Sequence, residues 1–339
     1  MEREFSPRNR KGSCIVTKTI LSVFVSLIVV FDTGAALPAR PTKVGIPAQN
    51  LTALPFFVAQ EKGYYRDEDL EVQLILMSPP VSTLALIGGD IDFSTAAGGA
   101  LTSAVRGAPI RFLFHTYYRG LYWLYTRPEI RDVAGLKGKR IGLSGIGSGP
   151  YYLVLELLKR QGLAGGRDVT ILVTGTQSSS FGALSGGTVD ATSLSPPFMF
   201  RAQDAGFREL VAFVNEDFVE LQSAVVVKDS LLQSDRAFVE KFMRATLKGF
   251  FYARDNRAGT IPIAARLLKI KDDVAARTYD LYRSAMTSNG TIDRNLQRRY
   301  LEDIAARMQL KDAPAVEKIF NYAMAEKIHA EVVASGWKP

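Results

Sequence analysis

The sequence predicts an α/β protein of two lobes. Each lobe is a mainly parallel sheet flanked by helices, with two hinge crossings between them and a helical C-terminal tail. Three observations carry this. Short apolar runs alternate with helix-like runs from Lys43 to Val214, the rhythm of a parallel sheet. The rhythm is duplicated. Ala85-Leu86-Ile87-Gly88-Gly89-Asp90-Ile91-Asp92 matches Ala183-Leu184-Ser185-Gly186-Gly187-Thr188-Val189-Asp190 at an offset of 98, and Val44-Gly45-Ile46 matches Ile141-Gly142-Leu143 at an offset of 97. Two matches at nearly one offset, at corresponding places in the rhythm, point to two related lobes. Beyond Asp235 the strand pattern stops, and Phe238, Phe242, Ala245 and Gly249 keep helical spacing.

The elements follow in order. Residues 43–46 read as a strand, and 55–62 as a helix that Gly63 ends. Residues 70–77 alternate as a strand should. A short helix at 81–87, a strand at 91–94, a helix at 99–106 and a strand at 110–116 complete the first half. The second half opens with a strand at 139–143 and a helix at 151–161 that Gly162 closes. Strands at 169–173, 191–194 and 210–214 then alternate with helices at 181–184 and 198–205. One crossing between the lobes is expected near 127–138, where Pro128, Gly135 and Gly138 break any helix. The other is expected near 217–223, ahead of an apolar strand at 224–227. Pro262 and Pro314 are expected near helix starts. The expected division is 1–36 as a targeting segment, 37–130 with 223–339 as lobe one, and 131–222 as lobe two.

The first 36 residues differ from the rest. Arg3, Arg8, Arg10, Lys11 and Lys18 precede a charge-free run over 19–31, and small residues follow at Gly34, Ala35 and Ala36. That order is the order of a secretory signal, with cleavage expected after Ala36. The run is about 13 residues, against roughly 20 for a bilayer-spanning helix. Retention as an anchor is the alternative. The single cysteine, Cys14, precedes the apolar run, so cleavage leaves a chain without a thiol. This excludes disulfides, cysteine-ligated metals and cysteine nucleophiles. The net charge of +8 is scattered, with no long block of one sign and no nucleic-acid motif.

In open parallel sheets a ligand binds beyond the carboxyl ends of the strands. Four such ends are small, polar or rich in Gly and Pro, and each leads into a helix. They are Pro47-Ala48-Gln49-Asn50-Leu51-Thr52, Thr95-Ala96-Ala97-Gly98-Gly99, Ser144-Gly145-Ile146-Gly147-Ser148-Gly149-Pro150 and Ser195-Pro196-Pro197. Backbone N–H groups at the positive end of a helix suit polar or anionic ligands. The candidates are Gln49, Asn50, Leu51, Ala97 and Gly98 in the first lobe, with Gly147, Ser148, Gly149, Ser195 and Pro196 in the second. Asn50 and Ser148 would supply directional hydrogen bonds, and Gly98 and Gly149 would allow close backbone approach. Taken alone, the Gly-Ile-Gly-Ser-Gly loop also reads as a plain βα turn, because it lacks the G-x-G-x-x-G spacing and a following Lys-Ser or Lys-Thr.

His115, Tyr117 and Arg119 complete the candidate set, where the first lobe nears the hinge beside Tyr118, Tyr122 and Trp123. Such rings can stack on a flat ligand, and Arg119 can pair with a carboxylate or sulfonate. The same cluster can instead pack the hinge. The two histidines, His115 and His329, have no metal-like spacing, and there is no G-x-S-x-G. Asp90 and Asp92 lie on one side of a strand start, where turn-capping is their expected work. The expectation is no enzyme, no metal and no cofactor.

Several stretches, taken in order, resemble one family. They are Pro55-Phe56-Phe57-Val58-Ala59-Gln60-Glu61-Lys62-Gly63-Tyr64-Tyr65 with Leu70-Glu71-Val72, Gly88-Gly89-Asp90-Ile91-Asp92, Leu136-Lys137-Gly138-Lys139-Arg140-Ile141-Gly142, and Gly187-Thr188-Val189-Asp190-Ala191 with Ser195-Pro196-Pro197-Phe198. Together they resemble the nitrate/sulfonate/taurine group of periplasmic substrate-binding proteins, in the superfamily that includes the thiamine pyrimidine synthase. The resemblance runs from about Lys43 to Val227. Asp67-Glu68-Asp69 and Gly135 depart from the usual pattern outside the expected cleft. The resemblance implies a type II periplasmic binding fold that closes on a small ligand and hands it to the membrane subunits of an ABC importer. It implies a monomer in the periplasm, with a sulfonate, carboxylate or heteroaromatic ligand. Two alternatives are a ligand sensor acting on a membrane receptor and a synthase-like enzyme. The synthase carries a Cys-rich motif, which this chain lacks after Cys14.

Overall fold

The computed structural model describes Met1 and residues 39–47, 50–146, 148–216, 218 and 220–339. The expected targeting segment, and the candidates Gln49 and Gly147, lie outside the described residues. No helix among the described residues is long and apolar enough to cross a membrane.

The first half runs β1 (Arg40–Ile46), α1 (Leu54–Glu61), β2 (Leu70–Leu76), α2 (Pro79–Gly88), β3 (Phe93–Ser94), α3 (Ala97–Val105) and β4 (Ile110–Tyr117). The second runs β5 (Trp123–Thr126), β6 (Arg140–Leu143), α4 (Gly149–Arg160), β7 (Thr170–Val173), α5 (Gln177–Ser185), β8 (Ala191–Leu194), α6 (Phe198–Asp204) and β9 (Arg208–Ala212). Then come β10 (Gln222–Lys228), α7 (Asp229–Ser234), α8 (Arg236–Asp255), α9 (Arg257–Leu268), α10 (Asp272–Ser284), α11 (Arg294–Arg307) and α12 (Ala323–Ala334).

These strands form two five-stranded sheets, in the orders β2-β1-β3-β10-β4 and β7-β6-β8-β5-β9. The orders are the same, strand for strand, once each half is matched to the other. The register repeats as well: β1 pairs with β2 from Arg40↔Leu70 to Ile46↔Leu76, and β6 with β7 from Arg140↔Thr170 to Leu143↔Val173. In each sheet the fourth strand is antiparallel to both neighbours. That strand is reached across the hinge, so each crossing ends in the middle of a sheet.

The first crossing differs from expectation. β4 ends at Tyr117 in one sheet and β5 begins at Trp123 in the other, so the crossing occupies residues 118–122 and not 127–138. Trp123-Leu124-Tyr125-Thr126 is buried throughout and paired on both edges. A strand buried on both faces loses the alternation that marks a half-exposed one. The second crossing lies between Ala212 and Gln222, close to its expected place.

The tail packs on the first sheet. Phe242 of α8 stacks on Phe93 and Tyr65, with ring centroids 3.8 and 5.5 Å apart. Gly249 of α8 lies so close to α1 that a side chain there would meet the Pro55 carbonyl and Ala59. Pro262 is inside α9 rather than at its start. The start is set earlier by Asn256, whose side chain accepts from the Gly259 N–H at 2.8 Å.

Candidate ligand site

The loop after β1 is built by its own side chains. Asn50 caps a short turn over Leu51–Ala53, its Oδ1 accepting from the Thr52 N–H at 3.0 Å. The Leu51 carbonyl accepts from the Tyr117 hydroxyl at 2.7 Å, which ties this loop to the end of β4. The Tyr117 ring meets Tyr282 of α10 edge-on, with centroids 5.5 Å apart. The Tyr282 hydroxyl interacts in turn with the side chain of Ser195, at the end of β8. A line of contacts therefore runs Leu51, Tyr117, Tyr282, Ser195, from a strand-end loop of one sheet to a strand-end loop of the other. Burial pushes the phenols of Tyr117 and Tyr282 well above their usual value, so both stay protonated at neutral pH.

On the second lobe, the Ser195 N–H donates to Gln177 Oε1 at 2.7 Å, fixing the Ser195-Pro196 loop to the start of α5. The Ser148 hydroxyl donates to the Gly145 carbonyl at 2.7 Å and so closes the loop ahead of α4. Gly149 is the first residue of α4. A side chain at Gly149 would collide with the carboxylate of Glu220 from the second crossing. One at Gly120, in the first crossing, would come within 3.1 Å of the Cβ and Cγ of Glu220. Tyr122 interacts with Gln222 and lies in the field of both Glu220 and Tyr282.

The other candidates fall elsewhere. His115 is fully buried in the first lobe. Its Nδ1 pairs with the Tyr322 hydroxyl at 2.7 Å, and its ring stacks on Phe112 at 5.4 Å. Its place is the packing of the tail against β4. Arg119 is exposed at the first crossing and donates to the Val214 carbonyl at 3.2 Å, bracing the two crossings. Ala97 is buried at the start of α3, and Gly98 beside it faces open space. Pro196 is buried.

Sequence reasoning missed Gln177, Gln222, Tyr282 and Glu220 as members of this site. None belongs to a motif. Tyr282 reaches the site from a tail helix, and Glu220 from the second crossing. A cavity of about 550 Å³ between α4, the second crossing and α11 has Leu153 and Glu220 as buried lining. Neither this cavity nor one of about 870 Å³ among the tail helices includes any of the candidates predicted from the sequence. Among the described residues no group of three or more His, Cys, Asp or Glu is placed to hold a metal ion.

The model of the family described as "NMT1/THI5 like" matches residues 50–258. The riboflavin-binding protein RibY of Chloroflexus aurantiacus is 25% identical over 59% of this chain and 58% of its own length. The 4-amino-5-hydroxymethyl-2-methylpyrimidine phosphate synthase of Uromyces fabae is 33% identical over 41% of this chain and 40% of its own length. The match thus spans less than two thirds of either relative. Among solved structures, the periplasmic aliphatic sulphonate binding protein SsuA of Escherichia coli superposes with a TM-score of 0.66 at 16% identity, covering 82% of this chain and 96% of that one. At that identity the likeness is one of fold.

Proposed function

The chain belongs to the NMT1/THI5-like family and has the periplasmic binding protein fold, and from that premise we propose that it is the exported solute-binding component of an ABC importer. In this reading it captures one small organic molecule between its lobes and presents the closed form to the importer's membrane subunits. It acts as a periplasmic monomer, and it binds without turning its ligand over.

The observation that carries the reading is the line Leu51, Tyr117, Tyr282, Ser195. It joins strand-end loops of both sheets, the place where an open α/β sheet takes its ligand. A ligand that touches both loops favours the closed form through contacts available only when the lobes meet. Sulfonates, carboxylates and heteroaromatic compounds are the ligand classes of this reading. The similarity to a riboflavin-binding protein and to a pyrimidine phosphate synthase supports the heteroaromatic class. Asn50, Leu51, Ala97, Gly98 and Tyr117 on one side, with Ser148, Gly149, Ser195 and Pro196 on the other, are the proposed contacts, joined by Tyr282 and Gln177.

Asn50→Ala tests the first-lobe loop. It should weaken binding of a confirmed ligand while the protein still melts cooperatively, at a stability cost of about 1 kcal/mol for the lost cap. Unchanged affinity would remove that loop from the site.

A further inference from the structure

Two buried hydroxyls of the first sheet have no partner. Among the described residues neither Thr116 Oγ1 nor Ser223 Oγ makes a hydrogen bond, although both atoms are shut off from solvent. Thr116 is fully buried and Ser223 is 7% exposed. An unpaired buried hydroxyl is costly, and folded chains as a rule pair theirs. Ser223 is also held at φ +52°, in the left-handed region that a serine adopts only at a cost. The two stand together. Gln222 pairs with Tyr117 and Ala224 with His115, which sets Ser223 opposite Thr116. Residues directly opposed on antiparallel strands hold their Cβ atoms about 5 Å apart. One oxygen that accepts a bond of about 2.7 Å from each hydroxyl spans such a gap.

The pair lies among the proposed contacts. Because β10 is antiparallel to β3 and β4, its first residues lie beside the carboxyl ends of those strands. Tyr117 follows Thr116 in the chain. The Ala224 N–H, next after Ser223, donates at 3.4 Å to the Thr95 carbonyl, just ahead of Ala97 and Gly98. Ser223 is the second residue of β10 and follows the second crossing directly, where hinge rotation changes what covers it. No side chain from Thr95 to Gly99, from Thr116 to Tyr117 or from Gln222 to Ala224 is an acid or a base of the Asp, Glu, Lys, Arg or His kind. We propose that Thr116 and Ser223 form a specificity subsite for one uncharged acceptor oxygen of the ligand, the carbonyl of an amide or a lactam, to which both hydroxyls donate. A carbonyl oxygen has two lone pairs for two donors. An anion would bring its charge into a buried place whose own side chains offer no counter-charge. The inference rests on the solute-binding reading and adds a subsite to it.

The test is isothermal titration of the full chain at pH 8 with 2-pyridone, pyridine and benzoate, probes of similar ring size. The wild type should bind 2-pyridone more tightly than the other two. Thr116→Val and Ser223→Ala each remove one donor. Each should weaken 2-pyridone about 3- to 10-fold, the worth of one hydrogen bond, and leave pyridine unchanged. Urea unfolding of the free variants separates this role from a structural one. Loss of a hydroxyl that has no partner within the fold should leave each midpoint equal to the wild type's or above it. A 2-pyridone preference that survives in both variants, or a lowered midpoint in both, would overturn the assignment and leave the solute-binding reading standing. A wild type that prefers pyridine or benzoate, or binds none of the three, would also overturn it, and the solute-binding reading would then be judged on its own wider ligand panel.

Discussion

The Asp92 carboxylate accepts a hydrogen bond from the Lys43 backbone N–H at 2.8 Å, and 98 residues later Asp190 repeats the contact with the Arg140 N–H at 2.9 Å. In each lobe the aspartate that follows the Gly-Gly turn ties the loop before one central strand to the backbone of its parallel neighbour. Asp190 adds an ion pair with the Arg140 side chain at 2.9 Å. These hydrogen bonds and the pair hold its carboxyl below the usual value of 3.8. Asp190→Ala should therefore lose about 1–3 kcal/mol of stability, read as a lower midpoint in urea. Arg140→Ala should lose less, because its side chain is largely exposed. The Asp190 contribution is present above its unfolded pKa and fades as pH falls through the lower folded value.

Gly249 fixes the separation of α8 and α1. Gly249→Val should cost about 1–3 kcal/mol or more, because the added carbons meet backbone atoms of α1 that cannot swing away. Thermal melting is the readout. Gly98→Ala makes a fitting control, since its new methyl would face open space.

His115 is held neutral. Burial lowers its pKa from 6.5 to about 3, so the unfolded chain binds a proton there that the folded one does not. Its contribution is complete above pH 6.5 and is lost as pH falls toward 3. Urea midpoints between pH 7 and pH 4 should fall in the wild type. They should fall less in His115→Phe, if that variant is compared with its own midpoint at pH 7.

Glu220 has the opposite sign. Burial pushes its carboxyl from 4.5 up to about 7, against the field of Arg307. The folded chain therefore holds a proton that the unfolded one has released. Stability from this group is complete below pH 4.5 and is lost as pH rises through about 7. Around it stand Tyr122 from the first crossing, Glu156, Lys159 and Arg160 from α4, and Arg299, Tyr300, Glu302, Asp303 and Arg307 from α11. Glu220→Gln should flatten that part of the profile and exceed the wild type above pH 7, by at most about 3 kcal/mol. Urea midpoints at pH 5 and pH 8 measure it. Equal pH dependence in the two proteins would contradict this environment for Glu220.

Much of the fold is legible in the sequence because each lobe repeats one α/β pattern. The Gly-Gly-x-x-Asp turns and the Val44 and Ile141 strands place the sheets at the right offset, and the structure carries the repeat down to strand register. β5 was not legible, since Trp123-Leu124-Tyr125-Thr126 is wholly buried and shows no alternation. The strand-end loops are legible from Gly, Pro and Ser content, which backbone geometry demands there. The groups that reach those loops from far away are not. Tyr282 and Glu220 come to the site through tertiary packing, and no local pattern distinguishes them from other tyrosines and glutamates. The surroundings of His115 were hidden for the same reason. Its ring packs beneath the tail against Phe112 and Tyr322.

The most direct test of the solute-binding account is a thermal-shift screen of the full chain. Its panel holds sulfonates, nitrate, pyrimidines, carboxylates, aromatic acids and amidines. A ligand present at about 100 times its dissociation constant adds about 2.7 kcal/mol, which raises the melting temperature of a chain this size by several degrees. The account predicts at least one compound with such a shift, reduced in Tyr282→Phe, because that hydroxyl links the two lobes at Ser195. A cooperatively melting protein that no member of the panel moves would contradict it.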